Sequence, residues 1–272
     1  MNAIRKVRPQ AFFAQNPVFT REQFGAFLGA RVTPAGLTAR LSYYSRTGCI
    51  RSVARSIYAV VPYGHAPESL RPDRFLLAHA LRPDAIFSHH SALELLGAAH
   101  SVWSVCTLFS AKPRLTLRVH GSEIRSAPHP RALAQLSEVG VGVRTVEWRG
   151  VMLRTTGPER TLVDGFRQPQ LVGGIDELVE SASGFPSLDI CLLMRLLDQY
   201  SNHRVSAAVG WFLESHASAF GVTEGHLAAI EHHRPKSPRY LVGASRGGTL
   251  MPRWNIVLPA ATGKGDPSAG QS

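Results

Sequence analysis

Cysteine is scarce and scattered in this chain. Cys49, Cys106 and Cys191 are odd in number, far apart and in no metal-ligand spacing. That speaks against a disulfide framework and against a thiolate metal site, and points to free thiols in a reducing compartment. Long hydrophobic runs are missing as well. No segment approaches the roughly 18 uninterrupted apolar residues of a membrane span. Behind the basic N-terminus (Arg5, Lys6, Arg8) only Ala11 to Ala14 follow as an apolar run, too short for a secretory signal. The expectation is a cytoplasmic protein with no membrane partner. No internal repeat is present. With 272 residues, 44% apolar and 18% charged, the chain has material for one large domain or two ordinary ones and is not disordered by composition.

Acidic side chains are the second shortage, and it is unevenly spread. The chain carries 30 Lys and Arg against 19 Asp and Glu, a formal net charge of +11. Residues 1–62 contain nine basic side chains (Arg5, Lys6, Arg8, Arg21, Arg31, Arg40, Arg46, Arg51, Arg55) and one acidic one, Glu22, a balance of +8 that leaves +3 for the other 210 residues. Concentrated positive charge attracts a polyanion through counterion release. A charge excess alone fits a solvated basic face equally well, so the motif beneath it has to decide.

That motif begins at Phe19-Thr20-Arg21-Glu22-Gln23. Thr20 and Gln23 stand in capping-box spacing, Phe24, Phe27 and Leu28 follow at helical spacing, and Gly29 stops the helix. After the short connection Ala30-Arg31-Val32, Thr33 is placed to cap a second helix with Pro34 as its first residue. Leu37, Leu41 and Tyr44 form one apolar face of that helix, which ends at Gly48. Two helices joined by a tight turn make a helix-turn-helix, whose second helix enters the major groove. Cys49 to Val53 and Ile57 to Val61 are then two short β-rich runs with Ala54-Arg55-Ser56 between them, a hairpin with a basic tip. Helix, turn, helix and basic hairpin in that order predict a winged helix-turn-helix.

The face of the second helix opposite its apolar stripe carries Ala35, Thr38, Ala39 and Ser42, flanked by Arg40, Tyr43 and Arg46. Small residues permit close approach to a groove, hydroxyls bond base edges or phosphates, and arginines grip guanine or phosphate. With Arg31 and Thr33 at the turn and Arg51 and Arg55 on the hairpin, these residues form the candidate double-stranded DNA surface.

Phe19-Thr20, Arg40-Leu41, Thr47-Gly48-Cys49-Ile50-Arg51 and Ile57-Tyr58-Ala59-Val60 resemble the N-terminal domain of the AbiEi antitoxin family. Ser88 to Gly97, Pro158 to Asp164, Gly173 to Glu177 and Arg253 to Pro259 are similar to that family's later blocks, so the resemblance spans nearly the whole chain. It implies an N-terminal winged domain that represses its own operon at its operator. It also implies a C-terminal domain that contributes to neutralising a nucleotidyltransferase-like toxin encoded beside it. Family members often carry glycine just before the wing's apolar-Tyr pair, where this chain has Ser56, a poorer residue at positive φ.

Pro62-Tyr63-Gly64-His65-Ala66-Pro67 reads as a boundary. Helical periodicity resumes from Asp73 and from Ser91. Val102 to Phe109, Arg114 to Val119, Val141 to Val146 and Val151 to Arg154 alternate like strands. Helices dominate from Pro158 to about Glu231, and Tyr240 to Val242 and Asn255 to Leu258 look like returning strands. The predicted fold class is therefore α+β. A winged helix-turn-helix spans residues 1–62, 63–67 link it to a larger mixed α+β domain over 68–259, and a disordered tail occupies 260–272.

Enzymatic readings of the larger part are weaker. His89, His90, Ser91 and Asp164 offer the residue types of a triad, but no Gly-x-Ser-x-Gly elbow is present, and adjacent helical residues point about 100° apart. An N-cap role for Ser88 or Ser91 is simpler. Arg160 and Asp164 are four apart and suit a structural ion pair. His232-His233 lacks a third ligand at metal spacing, and the loop from Gly243 to Gly248 lacks a P-loop's Lys-Ser/Thr ending. No catalytic residue, cofactor or metal is expected. Two other readings stand beside the antitoxin one. The first is a DNA-targeted nuclease or phosphotransferase with its active site in the larger domain. The second is a ligand-sensing transcription factor without a toxin.

Overall fold

The computed structural model describes residues 9–119, 121–242 and 248–259. Arg5, Lys6 and Arg8, most of the loop from Gly243 to Gly248 and the tail over 260–272 lie outside the described residues. In chain order the elements are α1 (Pro9–Gln15), β1 (Val18–Thr20), α2 (Arg21–Leu28), α3 (Pro34–Arg46), β2 (Ile50–Ala54), β3 (Ile57–Val60), α4 (Arg74–Leu81), β4 (Ile86–Phe87), α5 (His90–Leu95), β5 (Val105–Phe109), β6 (Leu115–Val119), β7 (Ser122–Ala127), α6 (Arg131–Gln135), β8 (Val143–Trp148) and β9 (Val151–Thr156). They continue with α7 (Pro158–Arg167), α8 (Ile175–Ser183), α9 (Ile190–Tyr200), α10 (His203–Ser215), α11 (Ala217–Phe220), α12 (Glu224–Glu231), β10 (Arg239–Tyr240), β11 (Thr249–Met251) and β12 (Ile256–Leu258). Helices and strands are intermixed along the chain and the strands form three separate sheets, so the class is α+β, as expected.

Two compact units are present. One comprises Met1–Phe87, Trp103–His129 and Thr145–Thr155, the other Ser88–Val102, Pro130–Arg144 and Thr156–Ser272. The residues before and after the expected linker at 63–67 thus share the first unit.

The start of the first unit is organised by aromatic rings. Phe12 and Phe13 of α1, which the sequence reading missed, meet Phe19 of β1 and Phe24 of α2, and Leu41 of α3 and Ile50 of β2 complete a buried cluster. Phe13 stacks on both Phe19 and Phe24, at centroid separations of 5.6 and 5.5 Å. Tyr44 meets the Phe13 ring edge-on at 5.1 Å. The helices end where local chemistry stops them. Thr20 Oγ1 accepts from the Gln23 amide (3.2 Å) and Gln23 Oε1 accepts from the Thr20 amide (2.7 Å), the reciprocal capping box that the spacing predicts. Thr33 Oγ1 accepts from the Gly36 amide at 3.1 Å, with Pro34 next. At its other end α3 stops at Arg46, slightly before the expected limit, and Gly48 (φ 73°) closes it. The Cys49 amide donates to Tyr44 O (2.9 Å) and the Gly48 amide to Ser45 O (3.2 Å), which is a Schellman ending.

Strands β1, β3 and β2 form an antiparallel sheet in that order. Ala54 pairs with Ile57, so the hairpin turn is only Arg55-Ser56, shorter than the three-residue tip expected, and the register shifts between Ser52 and Ala54. Ser56 does adopt positive φ (60°), the conformation in which its Cβ is a liability.

Farther along this unit, a six-stranded mixed sheet runs β6-β7-β5-β4-β9-β8. Its strands β4 and β7 escaped sequence reading, because β4 is two residues long and β7 (SEIRSA) has little apolar alternation. Helix α4 buries Phe75, Leu76, Leu77 and Ala78, and packs against β1 and β3 as well as β5 and β7. Asp73 caps it and also accepts from Trp148 Nε1 at 2.9 Å.

The second unit is mainly helical. Every residue of α7 from Pro158 to Phe166 is buried, and α8, α9, α10 and α12 contribute Leu178, Leu193, Leu197, Val209, Phe212, Leu227 and Ile230 to one core. Trp254, before β12, lies so close to α10 that a Cβ on Gly210 would fall 2.2 Å from its ring. Strand β12 is the centre of a small sheet, parallel to β10 and antiparallel to β11.

The Ser56 turn gives a direct test. Ser56→Gly should stabilise the protein by about 1 kcal/mol, because relief of the left-handed strain exceeds the added chain entropy. A denaturant midpoint equal to or below that of the wild-type chain would contradict this account.

Candidate nucleic-acid interface

The two faces of α3 are divided as its sequence dictates. Leu41 is buried and Leu37 and Tyr44 are partly buried against the aromatic cluster. Ala35, Thr38, Ala39, Ser42 and Arg46 recur at helical spacing on the other side, and all are exposed, as are Arg40 and Tyr43. Arg31 and Thr33 in the turn before α3 and Arg55 at the hairpin tip are exposed too. Ten of the eleven expected interface residues therefore face solvent.

The eleventh, Arg51, is half-buried. Its Nη1 donates to Pro67 O (2.8 Å) and Glu68 O (3.1 Å). It ties β2 to the segment that leads into α4, a role set by contacts 16 and 17 residues away in sequence. Thr33 spends its hydroxyl on the cap. Thr38 Oγ1 donates to Pro34 O at 2.9 Å and accepts from Arg21 Nη2 at 2.7 Å.

Arg21 is the residue that sequence reading counted as charge and did not place. Its Nη2 also donates to Pro34 O at 3.0 Å, and its backbone amide donates to Ser56 O at 2.8 Å. One residue thus holds the first turn of α3 by its side chain and the hairpin turn by its main chain. Its position at the start of α2 was legible, but its partners were not.

The charges of this surface lack carboxylate partners. Among the described residues, Arg31, Arg40, Arg46 and Arg55 form no ion pair. Elsewhere arginines are repeatedly matched. Arg118 and Arg125 meet Glu123, Arg144 meets Glu159, Arg149 meets Asp73, Arg195 meets Glu138, and Arg253 meets Glu214, Glu224 and Glu231. Unneutralised cations at a small-residue helix face are what a phosphate backbone binds.

The residues of the rival enzymatic reading lie in the second unit and are buried. His90 Nδ1 bonds Glu94 Oε1 (3.0 Å) and its Nε2 meets Ser101 Oγ (3.4 Å). Asp164 accepts from Tyr200 Oη at 2.8 Å, with Arg160 Nε and Arg167 Nη2 each at 3.4 Å. The Arg160–Asp164 pair expected from spacing is present, and Arg160 Nη1 also donates to Val139 O and Val141 O. Burial and the Asp164 carboxylate together raise the Tyr200 phenol. The N-cap of α5 is a correction. His89, not Ser88 or Ser91, occupies it, without a side-chain cap bond and at φ 55°. Ser88 Oγ instead bonds His89 Nδ1 at 2.9 Å. Burial pushes His89 down to about 4, opposed by an upward pull from Asp164 and reinforced by a downward push from Arg167. No group of three potential metal ligands occurs among the described residues, and His233 lies 3.8 Å from Asp198 at the surface.

No family model and no curated protein matches the chain. Among solved structures it is similar to the RV2827C protein from Mycobacterium tuberculosis, at 18% sequence identity and a TM-score of 0.59, over 93% of this chain and 90% of that chain. At that identity the likeness shows a shared fold.

The buried His89 makes stability pH-dependent. Its folded value of about 4 lies below the ordinary 6.5, so between them the unfolded chain binds a proton that the folded chain does not. The contribution is complete above the ordinary value and lost as pH falls through this window. From about pH 7 to about pH 5 it amounts to about 2 kcal/mol. Urea unfolding of wild type and His89→Asn at both pH values measures it. The variant should lose less stability on acidification by about that amount, and parallel losses would remove His89 as the cause.

Proposed function

We propose that this chain is a sequence-specific double-stranded DNA-binding repressor in which α2, α3 and the β2–β3 hairpin act as a winged helix-turn-helix. The observation that carries this reading is the set of four arginines without carboxylate partners, Arg31, Arg40, Arg46 and Arg55, around the exposed small-residue face of α3. Helix α3 spans about 20 Å and presents Ala35, Ala39 and Ser42 where a bulky side chain would hold it off the base edges. Arg46 and Arg55 serve phosphates, Ser42 and Tyr43 lie toward base edges, and Thr38 is held by Arg21 as part of the rigid platform.

The resemblance to the AbiEi antitoxin family supports a finer reading. The DNA is the chain's own operator, and the second unit neutralises a nucleotidyltransferase-like toxin without chemistry of its own. Localisation to the cytoplasm goes with that reading.

Arg46→Glu and Arg55→Glu should each weaken binding to all duplexes and reduce the salt slope by about one unit per lost phosphate contact. Both residues are exposed, so both variants should fold. Ser42→Ala should instead change the preference among operator sequences by up to about tenfold. Filter binding or fluorescence anisotropy across a salt series provides the readout. Unchanged slopes in both arginine variants would place the DNA surface elsewhere.

The antitoxin part is tested separately, by co-expression with the adjacent toxin gene, each from an unrelated promoter. Growth should be restored by the wild-type chain and equally by Arg46→Glu, since neutralisation is assigned away from α3. A toxin that stays lethal beside a soluble, folded full-length chain refutes that part and leaves the repressor reading intact.

A further inference from the structure

A second concentration of unneutralised positive charge lies within the second unit. A cavity of about 620 Å³ opens between the start of α10 and the segment that runs from the end of α12 into β10. Arg204, Lys236 and Arg239 line it together with His203, His232 and Asn202, and no carboxylate is among its lining residues. Arg234, also on its wall, is spoken for by Glu231 at 2.9 Å and by the carbonyl of Arg253. Arg204, Lys236 and Arg239 form no ion pair among the described residues, although carboxylates neutralise most arginines of this unit.

The cavity is built from fixed elements. Asn202 caps α10, accepting from the Val205 amide at 3.2 Å, which leaves the amides of His203 and Arg204 in the positively polarised first turn. His203 donates from Nδ1 to the carbonyl of His233 at 2.7 Å and so joins the start of α10 to the chain after α12. Pro235, buried between Arg234 and Lys236, fixes the course of that chain. Small-molecule pockets usually have mostly apolar walls, and a wall of cations selects a ligand of multiple negative charge. The space exceeds a single orthophosphate and falls in the ordinary range for a nucleotide-sized molecule. A concave pocket also suits a compact anion better than a duplex, whose phosphates follow an extended line. We propose that this cavity binds a small molecule carrying two or more linked phosphates, with Arg204 and Arg239 as guanidinium clamps and Lys236 as a mobile point charge. The inference does not depend on the α3 surface.

The test is isothermal titration of the full-length protein at low ionic strength with ATP, pyrophosphate and orthophosphate. Saturable binding of ATP or pyrophosphate is expected, at least about tenfold tighter than orthophosphate. Lys236→Ala and Arg239→Ala, both at exposed positions, should each weaken it about tenfold, the loss of one charge-assisted bond. Arg55→Ala should leave it unchanged. Absence of saturable binding to the folded wild type overturns the proposal. So does binding that survives Lys236→Ala and Arg239→Ala together, or is lost in Arg55→Ala. If instead a short DNA duplex displaces ATP and loses more affinity than ATP in those variants, the cavity is part of a nucleic-acid surface and the small-ligand assignment fails.

Discussion

The shape of the proposed DNA-reading surface depends on Arg21. Its guanidinium bonds Thr38 Oγ1 and Pro34 O, and its amide bonds Ser56 O, so α2, α3 and the hairpin turn meet at one residue. A helix-turn-helix reads DNA only if its second helix and its flanking hairpin keep a fixed relation, since phosphate contacts set the register in which base contacts form. The aromatic cluster beneath supplies the cohesion, but stacked rings tolerate sliding. Directed hydrogen bonds to Arg21 supply the geometry. The strained Ser56 belongs to the same device, because its carbonyl is the acceptor that anchors the turn.

Charge pairing divides the molecule by task. In the second unit, Arg160 is fully buried beside Asp164 and gives Nη1 to two carbonyls, which fixes the loop over 139–141 against α7. A buried pair of this kind is poor at adding stability and good at selecting one arrangement, because removing either partner strands a charge. Gly142 sits at φ 62° with the position of a Cβ 3.0 Å from Arg160 Cβ, so the loop approaches the helix closely only because that residue is glycine. Arg253 performs a comparable task at the surface, linking Glu214, Glu224 and Glu231 while Trp254 packs on Gly210. Around α3 and in the cavity beside α10, arginines without carboxylate partners leave their charge available to something outside the chain.

The residues that looked most like chemistry are held in a buried, hydrogen-bonded cluster. His89, His90, Ser88 and Asp164 are buried among Glu94, Ser101, Tyr200 and two arginines. Burial keeps His89 neutral at ordinary pH, and a neutral, hydrogen-bonded imidazole at a helix start is a structural element as readily as a base.

The sequence by itself determined whatever is decided within a few residues. Thr20 with Gln23, Thr33 with Pro34 and Gly48 after Tyr44 mark the ends of α2 and α3, since capping bonds join groups three to five positions apart. The apolar stripe of α3, the hairpin, the Arg160–Asp164 pair and the α+β class were legible for the same reason. Tertiary structure alone decided the rest. Strand β7 exists because β5 and β6 offer it partners, not because SEIRSA alternates. Arg51 is drawn from the candidate DNA surface to Pro67 and Glu68, and Arg21 is drawn into it by Thr38 and Ser56. A charged side chain carries no local signal of which carbonyl or hydroxyl, more than ten residues away, folding will bring within hydrogen-bond distance of it.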